Sequence, residues 1–240
     1  MGADGEIKGT LYGVGLGSGD PELLTLKAHR ILMNADVVLV PKGKKCGDSV
    51  ARDILERALG DSLNCQELVF PMERDKKTLE EHWQNAARAA VDLLNQGKDV
   101  AFVTLGDATL YSTFAYLCRS IAKMGDYSIE TIPGITSVQA AAAQLNRPLA
   151  LGSSTYGIIS LPENLEDLDA FLSLHDTLVV MKIGGRLSEF RHFLKTRNLE
   201  SKTGFARRLG LEGEQWYSSM SHVPQKAEGY LSLAIIGEPA

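Results

Sequence analysis

The stretch that decides the fold is residues 10–21, TLYGVGLGSGDP. Thr10, Tyr12 and Val14 favour a β-strand, and the glycines that follow favour a tight turn. An amphipathic helical pattern begins directly afterwards, at residue 22. A strand, a glycine-rich turn and a helix in this order open a βαβ unit, which is the building block of a mainly parallel sheet.

The same alternation continues along the chain and predicts an α/β fold. In the first part, strands are predicted at residues 10–16, 36–40, 64–70, 99–105 and 128–132, and helices at 22–33, 49–59, 78–96 and 110–124. In the second part, strands are predicted at residues 156–161, 177–183, 203–207 and 230–236, and helices at 136–145, 165–174 and 187–196. Pro133-Gly134 breaks the pattern. We therefore predict two α/β domains, residues 1–133 with a mainly parallel sheet and residues 134–240 with a mixed sheet.

The composition excludes several classes of protein. Of the 240 residues, 44% are hydrophobic and 23% are charged, as in globular proteins and unlike disordered or coiled-coil chains. No apolar run approaches about 18 residues, so no membrane span is predicted. The net charge of -5 argues against a broad nucleic-acid-binding surface. The first residues fit neither a secretory signal nor a transit peptide, and we expect a cytoplasmic protein.

The cysteines and histidines indicate neither a disulfide framework nor a metal site. Cys46, Cys65 and Cys118 are an odd number and contain no C-x-x-C pair. The histidines show no ligand spacing either. We predict free thiols, as in a reducing compartment, and no bound metal.

The glycine-rich loop at residues 13–21 completes no common nucleotide-binding fingerprint. Counted from Gly13 or Gly15, the last glycine of G-x-G-x-x-G is replaced by Ser18 or Asp20. The acidic residue expected at the end of strand 2 in a nicotinamide site is missing, and residues 43–45, GKK, do not complete a Walker loop. A nicotinamide dehydrogenase is therefore disfavoured. The loop either brings the backbone close to a ligand or only joins a strand to a helix.

Two further polar loops follow the ends of predicted strands. Gly106 and Asp107 follow strand 4, and Thr136 and Ser137 follow strand 5. Asp107 offers acceptors for hydroxyl groups or an amine, or it caps the next helix; Thr136 either binds a ligand or caps a helix. Open α/β sheets bind ligands at the carboxyl ends of their strands, so we expect the three loops to line one crevice.

Three segments, taken in their order along the chain, resemble those of a known family. VGLGSGDPELLTLKA at residues 14–28, LGDATLYS at 105–112 and IPGITS at 132–137 resemble the tetrapyrrole methylases of cobalamin and sirohaem synthesis. These are two-domain enzymes that use S-adenosylmethionine and release S-adenosylhomocysteine. LVFPM at 68–72, the helix around Trp83 and TLGDATLYSTF at 104–114 look most like the members that methylate C20 of precorrin-2 or of cobalt-factor II, in vitamin B12 synthesis.

The resemblance implies a homodimer and a cofactor folded into a cleft between the two domains. The implied cofactor-binding residues are Ser18, Leu105, Gly106, Asp107, Leu110, Thr136, Ser137, Met181, Lys182, Leu233 and Ala234. Two positions depart from the family. Ser18 stands where many relatives have proline, and Pro41 stands where the sirohaem branch has an aspartate proposed as a base.

A precorrin-2-like substrate carries many carboxylates and requires cations. The first candidates lie in residues 41–45, here called the lysine loop, and are Lys42, Lys44 and Lys45. Arg74 is next, with Lys76 and Lys77, and three further candidates are Arg147, Arg186 and Arg191. Methyl transfer from a sulfonium needs positioning and exclusion of water, so no side chain is assigned a catalytic role and no metal is required.

Two alternatives stay open. A methylase of the same fold acting on another corrin position, a sirohaem precursor or a diphthamide-type target would show the same three loops. A non-catalytic tetrapyrrole-binding protein would need the lysine loop, but not the polar loops after strands 4 and 5. The sequence also leaves open whether the substrate is metal-free or holds cobalt.

Overall fold

The computed structural model describes residues 8–43, 49–69 and 76–237. The chain forms two compact units, one ending at Thr136 and the other beginning at Ser137. The change of unit lies just after the boundary between residues 133 and 134 that the sequence predicts. Each unit contains one five-stranded sheet with helices, whereas the sequence pattern predicts five strands in the first part of the chain and four in the second.

The sheet of the first unit is parallel throughout. Its strands are β1 (Thr10–Gly15), β2 (Val37–Lys42), β3 (Cys65–Val69), β4 (Val100–Thr104) and β5 (Ser128–Ile132). They lie in the order β3-β2-β4-β1-β5. Because β4, β1 and β5 are neighbours and run in the same direction, the loops that follow them leave the sheet side by side at its carboxyl edge.

One apolar core joins this sheet to its helices. The described helices of the first unit are α1 (Leu26–Asn34), α2 (Val50–Leu59), α3 (Lys76–Leu94) and α4 (Phe114–Ile121). Ala87, Ala90 and Leu94 of α3 pack with Phe102 of β4 and Phe114 of α4, and all of these side chains are buried. The spacing of three or four residues on α3 places its apolar positions on one helix face.

Helix α1 begins four residues later than the pattern predicts, at Leu26. The intervening Pro21–Leu23 form a separate 3-10 turn, which the side chain of Asp20 caps. Thr25 then provides the true helix cap, because its Oγ1 accepts a hydrogen bond from Ala28 N at 3.1 Å. The helix begins later than predicted because two capping residues, Asp20 and Thr25, lie close together in the sequence and the second one begins the helix.

Strand β2 extends beyond its predicted end, through Pro41 to Lys42. Proline lacks the N–H that a central strand needs. Pairing of β2 with β4 ends at Leu39, opposite Phe102, whereas pairing with β3 continues past Pro41. The ladder therefore loses its neighbour on one side before the proline is reached, and Pro41 is tolerated there.

The sheet of the second unit is mixed. Its strands are β6 (Tyr156–Ser160), β7 (Thr177–Met181), β8 (Thr203–Arg207), β9 (Gln215–Tyr217) and β10 (Ser232–Gly237), in the order β6-β7-β10-β8-β9. Only the β6–β7 pair is parallel. The described helices are α5 (Ser137–Gln144), α6 (Leu168–Leu174) and α7 (Leu187–Thr196). The core has Phe190 and Phe205 at its centre, both fully buried. The predicted α/β class, with a parallel first sheet and a mixed second sheet, is confirmed.

Two features of the second sheet differ from the prediction. Strand β9 was not predicted, because it is only three residues long and lies at the sheet edge, where the alternation of apolar residues is weak. Strand β10 begins at Ser232 rather than at residue 230, since Leu231 has a left-handed backbone with φ 50°. No helix within the described parts of the chain combines the length and the apolar composition needed to cross a membrane.

Candidate active site

Three loops meet at the carboxyl edge of the first sheet. Gly17, after β1, and Gly106, after β4, exchange two backbone hydrogen bonds with N–O distances of 3.1 and 2.7 Å. The loop after β5 joins them at Gly134, whose N–H donates to Oδ2 of Asp107 at 2.8 Å. The convergence that the sequence predicts is therefore observed within the first unit.

Glycine is necessary where these backbones touch. A Cβ built on Gly134 would lie 2.3 Å from the carbonyl oxygen of Gly106. A Cβ on Gly15 would lie 2.7 Å from that oxygen and 2.7 Å from Gly134 N. Any side chain at either position would force the loops apart, so these glycines set the distance between them.

Asp107 clamps the second loop to the third. It is only 7% exposed, and its Oδ1 accepts hydrogen bonds from the hydroxyl of Thr109 and from Thr109 N, the latter at 2.7 Å. Its Oδ2 accepts the bond from Gly134 N. Burial raises the pKa of a carboxyl group, but the hydrogen bonds from Thr109 and Gly134 outweigh burial and hold the pKa of Asp107 below its ordinary value. The carboxylate is thus ionised and bonded to both loops.

The interpretation of Asp107 as a cap of the next helix is wrong. That helix, α4, begins only at Phe114, and not at residue 110 as predicted. The intervening Tyr111 has a left-handed backbone, with φ 50°. Ser112 is buried and fixes the end of the loop, because its Oγ donates to Oγ1 of Thr104 at 3.1 Å and accepts from Phe114 N at 3.1 Å. Side-chain bonds, rather than helical ones, therefore hold this segment.

Ser18 carries a buried hydroxyl in the first loop. The residue is 6% exposed, and its Oγ has no hydrogen-bond partner among the residues that the structure describes. Leaving a buried polar group without a partner costs about 1–3 kcal/mol. A hydroxyl of this kind next to three converging loops has the chemistry to bind a polar ligand atom, which a proline at the same position lacks.

Of the other predicted residues, Leu105, Leu110 and Thr136 lie in the same loops of the first unit, whose meeting point we call the junction, and Ser137 is the first residue of the second unit. Leu105 and Leu110 are half-buried on either side of Asp107. Thr136 and Ser137 are half-buried where β5 gives way to α5, and Thr136 Cα lies 3.9 Å from a Cβ built on Gly106. Thr136 directly precedes α5, so its alternative role as a helix cap stays open.

The second unit brings its four predicted residues to one edge of its own sheet. Met181 ends β7 and is the register partner of Leu233 on β10. Lys182 follows Met181 and is exposed, while Leu233 is buried. Ala234 is fully buried in the apolar core. Cofactor binding by these residues stays a prediction.

Several residues at this edge also have strained backbone conformations. Lys182, Arg208 and Leu231 all have positive φ, at 57°, 49° and 50°. Arg208 N donates to the carbonyl of Leu231 at 2.9 Å and so holds the ends of β8 and β10 together. Non-glycine residues in this region are costly and cluster at functional sites. Their position agrees with a functional role for the edge that ends at Met181.

The lysine loop is described only in part. Lys42 ends β2 and forms an ion pair with Glu67 of β3, with an Nζ–Oε2 distance of 2.9 Å. Both side chains are about one-third exposed, at 33% and 38%. The other three predicted substrate-binding residues, Lys44, Lys45 and Arg74, lie outside the described residues. Substrate binding by this region stays a prediction.

Three arginines suggested as further substrate ligands donate hydrogen bonds within the second unit. Arg147 donates to the carbonyl oxygens of Lys202 and Ile235, at 3.1 and 3.0 Å. The guanidinium groups of Arg186 and Arg191 likewise donate to backbone carbonyls in their neighbouring loops. These bonds hold the three side chains within the second unit, and substrate binding by them stays a prediction.

The two cysteines that the structure describes are free thiols, as predicted. Cys65 and Cys118 are both partly buried. Burial raises the pKa of each thiol, and that of Cys118 to about 11. Neither thiol is activated as a nucleophile. Cys46 lies outside the described residues.

Comparison with known proteins identifies the family. Residues 10–222 match the family described as Tetrapyrrole (Corrin/Porphyrin) Methylases. The chain is a tetrapyrrole methylase. A relative from Methanocaldococcus jannaschii, named probable cobalt-precorrin-2 C(20)-methyltransferase, is 37% identical and covers 94% of this methylase and 95% of its own length. The cobalt-precorrin-2 C(20)-methyltransferase of Salmonella typhimurium is 34% identical and covers 90% and 91%.

A solved structure agrees with the fold of this methylase. Uroporphyrin-III C-methyl transferase from Thermus thermophilus, complexed with S-adenyl homocysteine, aligns with a TM-score of 0.65. It is 24% identical and covers 96% of the methylase and 98% of its own chain. The resemblance drawn from the three loop segments is confirmed by these matches. What the sequence did not reveal is how the loops are joined: the Asp107–Gly134 bond and the buried Ser18 hydroxyl depend on tertiary contacts.

Proposed function

We propose that this methylase transfers the methyl group of S-adenosylmethionine to C20 of cobalt-precorrin-2 in cobalamin synthesis. Two relatives that bear this activity in their names match at least 90% of the chain, at 37% and 34% identity. Both names specify the cobalt-loaded substrate, so we place cobalt-precorrin-2 before metal-free precorrin-2. A relative of the same fold that acts on another corrin position is the alternative that the experiment below distinguishes.

The observation that carries the proposal is the three-loop junction, because it lies in the segments that define the resemblance. The junction contains features that suit S-adenosylmethionine. The Ser18 hydroxyl is buried without a partner among the described residues, and Thr136 and Ser137 are half-buried at the start of α5. Of the residues that the structure describes, a Cβ built on Gly106 would approach only Thr136, at 3.9 Å, so a bound molecule can come close to the backbone there. Small, polar and glycine-bearing loops of this kind suit a ligand with hydroxyl, amino and carboxylate groups.

When bound, S-adenosylmethionine supplies a methyl group on a positively charged sulfur atom. The protein residues have to hold the methyl donor and the acceptor carbon in line at a short distance. Such positioning provides a large part of the rate enhancement when two bound molecules react. The Asp107 clamp and the packed glycines give the loops this fixed geometry. No described side chain at the junction is arranged as a nucleophile, in keeping with a displacement that requires positioning above all.

The tetrapyrrole carboxylates would be bound at the periphery, with the lysine loop as the first candidate. Lys42 is already paired with Glu67 at 2.9 Å, so a substrate carboxylate has to share or replace that partner. The ion pair is partly exposed and costs little to rearrange. We further propose that the enzyme is a homodimer, as the family resemblance implies, and that it works in the cytoplasm.

Two measurements test this function. Calorimetry with S-adenosylhomocysteine should show one binding site per chain, and no heat or thermal shift at saturation would contradict a methylase. Anaerobic incubation with S-adenosylmethionine and either cobalt-precorrin-2 or metal-free precorrin-2 should add one methyl group, located by NMR at C20. Methylation at another carbon would favour the alternative, and faster turnover of the metal-free ring would reverse the order of the two substrates.

A further inference from the structure

Tyr111 is both strained and exposed. Its backbone has φ 50°, a left-handed conformation that bulky residues rarely adopt, and 46% of its surface is accessible. It lies in the loop after β4, four residues after Asp107. A glycine or an asparagine would adopt this backbone at less cost. Strained residues of this kind cluster at functional sites.

Hydrogen bonds on both sides keep Tyr111 in this conformation. Before it, Thr109 is bonded to the buried carboxylate of Asp107. After it, Ser112 is bonded to Thr104 and to the first residue of α4. Both ends of this short segment are thus fixed at the carboxyl ends of the strands, and the strained, exposed Tyr111 lies between them.

Two other exposed apolar side chains flank the same junction. Leu26 is 91% exposed, and it follows Thr25, whose Oγ1 donates to Pro133 O in the third loop at 3.5 Å. Ile135 is 36% exposed and follows Gly134, the partner of Asp107. Leu26, Tyr111 and Ile135 form what we call the apolar rim, with one residue from each of the three connections. Exposed apolar residues gathered around a polar centre are typical of a ligand-binding surface.

We propose that the apolar rim binds the face of the tetrapyrrole ring and that Tyr111 positions the ring by stacking against it. This inference rests on the proposed function. A conjugated macrocycle is broad and flat, with its carboxylates at the periphery, and aromatic side chains stack on such faces in an offset geometry. The amino-acid and ribose parts of the cofactor are small and polar, and they do not require an apolar border on all three connections.

Three substitutions at this position separate the ring from the strain. Tyr111→Ala removes the ring and keeps the left-handed backbone, Tyr111→Gly removes both the ring and the strain, and Tyr111→Phe keeps the ring. Tyr156→Ala is the matched control, because Tyr156 is 43% exposed and begins β6 in the other unit, without a positive φ. Each protein is assayed anaerobically for KM with cobalt-precorrin-2, for the dissociation constant of S-adenosylhomocysteine, and for Tm.

We expect Tyr111→Ala and Tyr111→Gly to raise the KM for the tetrapyrrole by about tenfold, since an aromatic contact of this kind is worth roughly one factor of ten. Affinity for S-adenosylhomocysteine should change by less than about twofold. Tyr111→Phe should recover most of the lost tetrapyrrole affinity. The glycine variant should have a higher Tm than the alanine variant, because only glycine relieves the backbone strain.

Several results would overturn this inference. A wild-type KM in both the alanine and glycine variants would show that the ring does not contact the tetrapyrrole. A loss confined to S-adenosylmethionine or its product would assign the ring to the cofactor instead. An equal rise in KM for Tyr156→Ala would indicate a general effect of losing a tyrosine. If the wild-type protein itself transfers no methyl group to a tetrapyrrole, the proposed function fails first, and that result is distinct from all of these.

Discussion

Replacing Asp107 by asparagine tests whether the loop junction is also the cofactor site. The two side chains have the same shape, but asparagine has one acceptor oxygen in place of two. In the protein, one carboxylate oxygen serves Thr109 and the other serves Gly134 N, at 2.8 Å. Whichever way the amide turns, its NH₂ group faces a backbone N–H. At least one backbone donor of a partly buried hydrogen bond therefore loses its partner in Asp107→Asn.

The size of the effect follows from these bonds. A hydrogen bond to a charged group contributes about 1.5–3 kcal/mol, and an unsatisfied buried donor costs about 1–3 kcal/mol. Because the remaining bonds become neutral and weaker, we expect Asp107→Asn to lower the free energy of unfolding by about 2–4 kcal/mol. For a chain of this size, each kcal/mol lowers Tm by about 2–4 °C. The loops should also lose their fixed spacing, and S-adenosylhomocysteine should bind at least about tenfold more weakly.

The loss should depend on pH in a defined direction. The pKa of Asp107 is held below its ordinary value in the folded protein, so its ionised form stabilises the fold above the pKa of the unfolded chain, about 3.9. This contribution is lost as the pH falls through the lower, folded pKa. The stability difference between the wild type and Asp107→Asn should therefore be full above about pH 5 and shrink below about pH 4.

Asp99→Asn provides the matched control. Asp99 precedes β4 at the opposite edge of the same sheet, and its Oδ1 accepts from Thr10 N at 2.8 Å. This variant should lose less stability, because its amide oxygen can still accept from Thr10 N, and it should keep its affinity for S-adenosylhomocysteine. Urea denaturation and calorimetry measure the two quantities on each protein. If Asp107→Asn is destabilised but binds S-adenosylhomocysteine as tightly as the wild type does, the junction is purely structural and the reasoning is refuted.

Three further predictions concern other parts of the molecule. Gly134→Ala should lower the free energy of unfolding, measured in urea, by about 1–3 kcal/mol. Gly185→Ala should have little effect, because a Cβ there meets no described atom within 4 Å. Equal stability of the two variants would contradict the close packing at Gly134. Replacing all three lysines of the lysine loop by alanine should raise the KM for the tetrapyrrole but not weaken cofactor binding. The difference in KM between this variant and the wild type should shrink as salt is added, because charges are screened within about 8 Å at physiological ionic strength. Burial raises the pKa of the Cys118 thiol to about 11. The thiol should therefore react slowly with iodoacetamide at pH 8 in the folded protein and rapidly after unfolding, as measured by mass spectrometry of its peptide. Rapid reaction in the folded protein would contradict its burial.

The sequence predicts elements well where local pattern and tertiary packing agree. The helix Leu187–Thr196 and the strand Thr203–Arg207 begin and end at the predicted residues, because their apolar spacing matches the faces they bury. Helix α4 differs, because residues 110–113 have helix-compatible side chains but the segment is held by bonds from Thr109 to Asp107 and from Ser112 to Thr104. No local pattern contains those bonds, so the start of α4 could not be read from the sequence.

The candidate site shows the same division. Its loops were found because glycine and polar residues follow strand ends, which is a local signal. The partner of Asp107 was not found, because Gly134 is 27 residues away in the sequence and offers only a backbone N–H. The left-handed backbone of Tyr111 was equally hidden, since tyrosine is not a residue that predicts it.

These contacts also explain why the chain offers positioning groups where many enzymes offer a reactive side chain. An in-line methyl transfer is sensitive to the distance and angle between two bound molecules, and less to the basicity of a nearby residue. The groups at the junction fix the positions of the loops: the Asp107 carboxylate bonds to two loops, and glycines allow the backbones to come into contact. It follows that substitutions that loosen the junction should reduce methyl transfer more than substitutions of any single described histidine or cysteine, whose reactive groups this chemistry does not require.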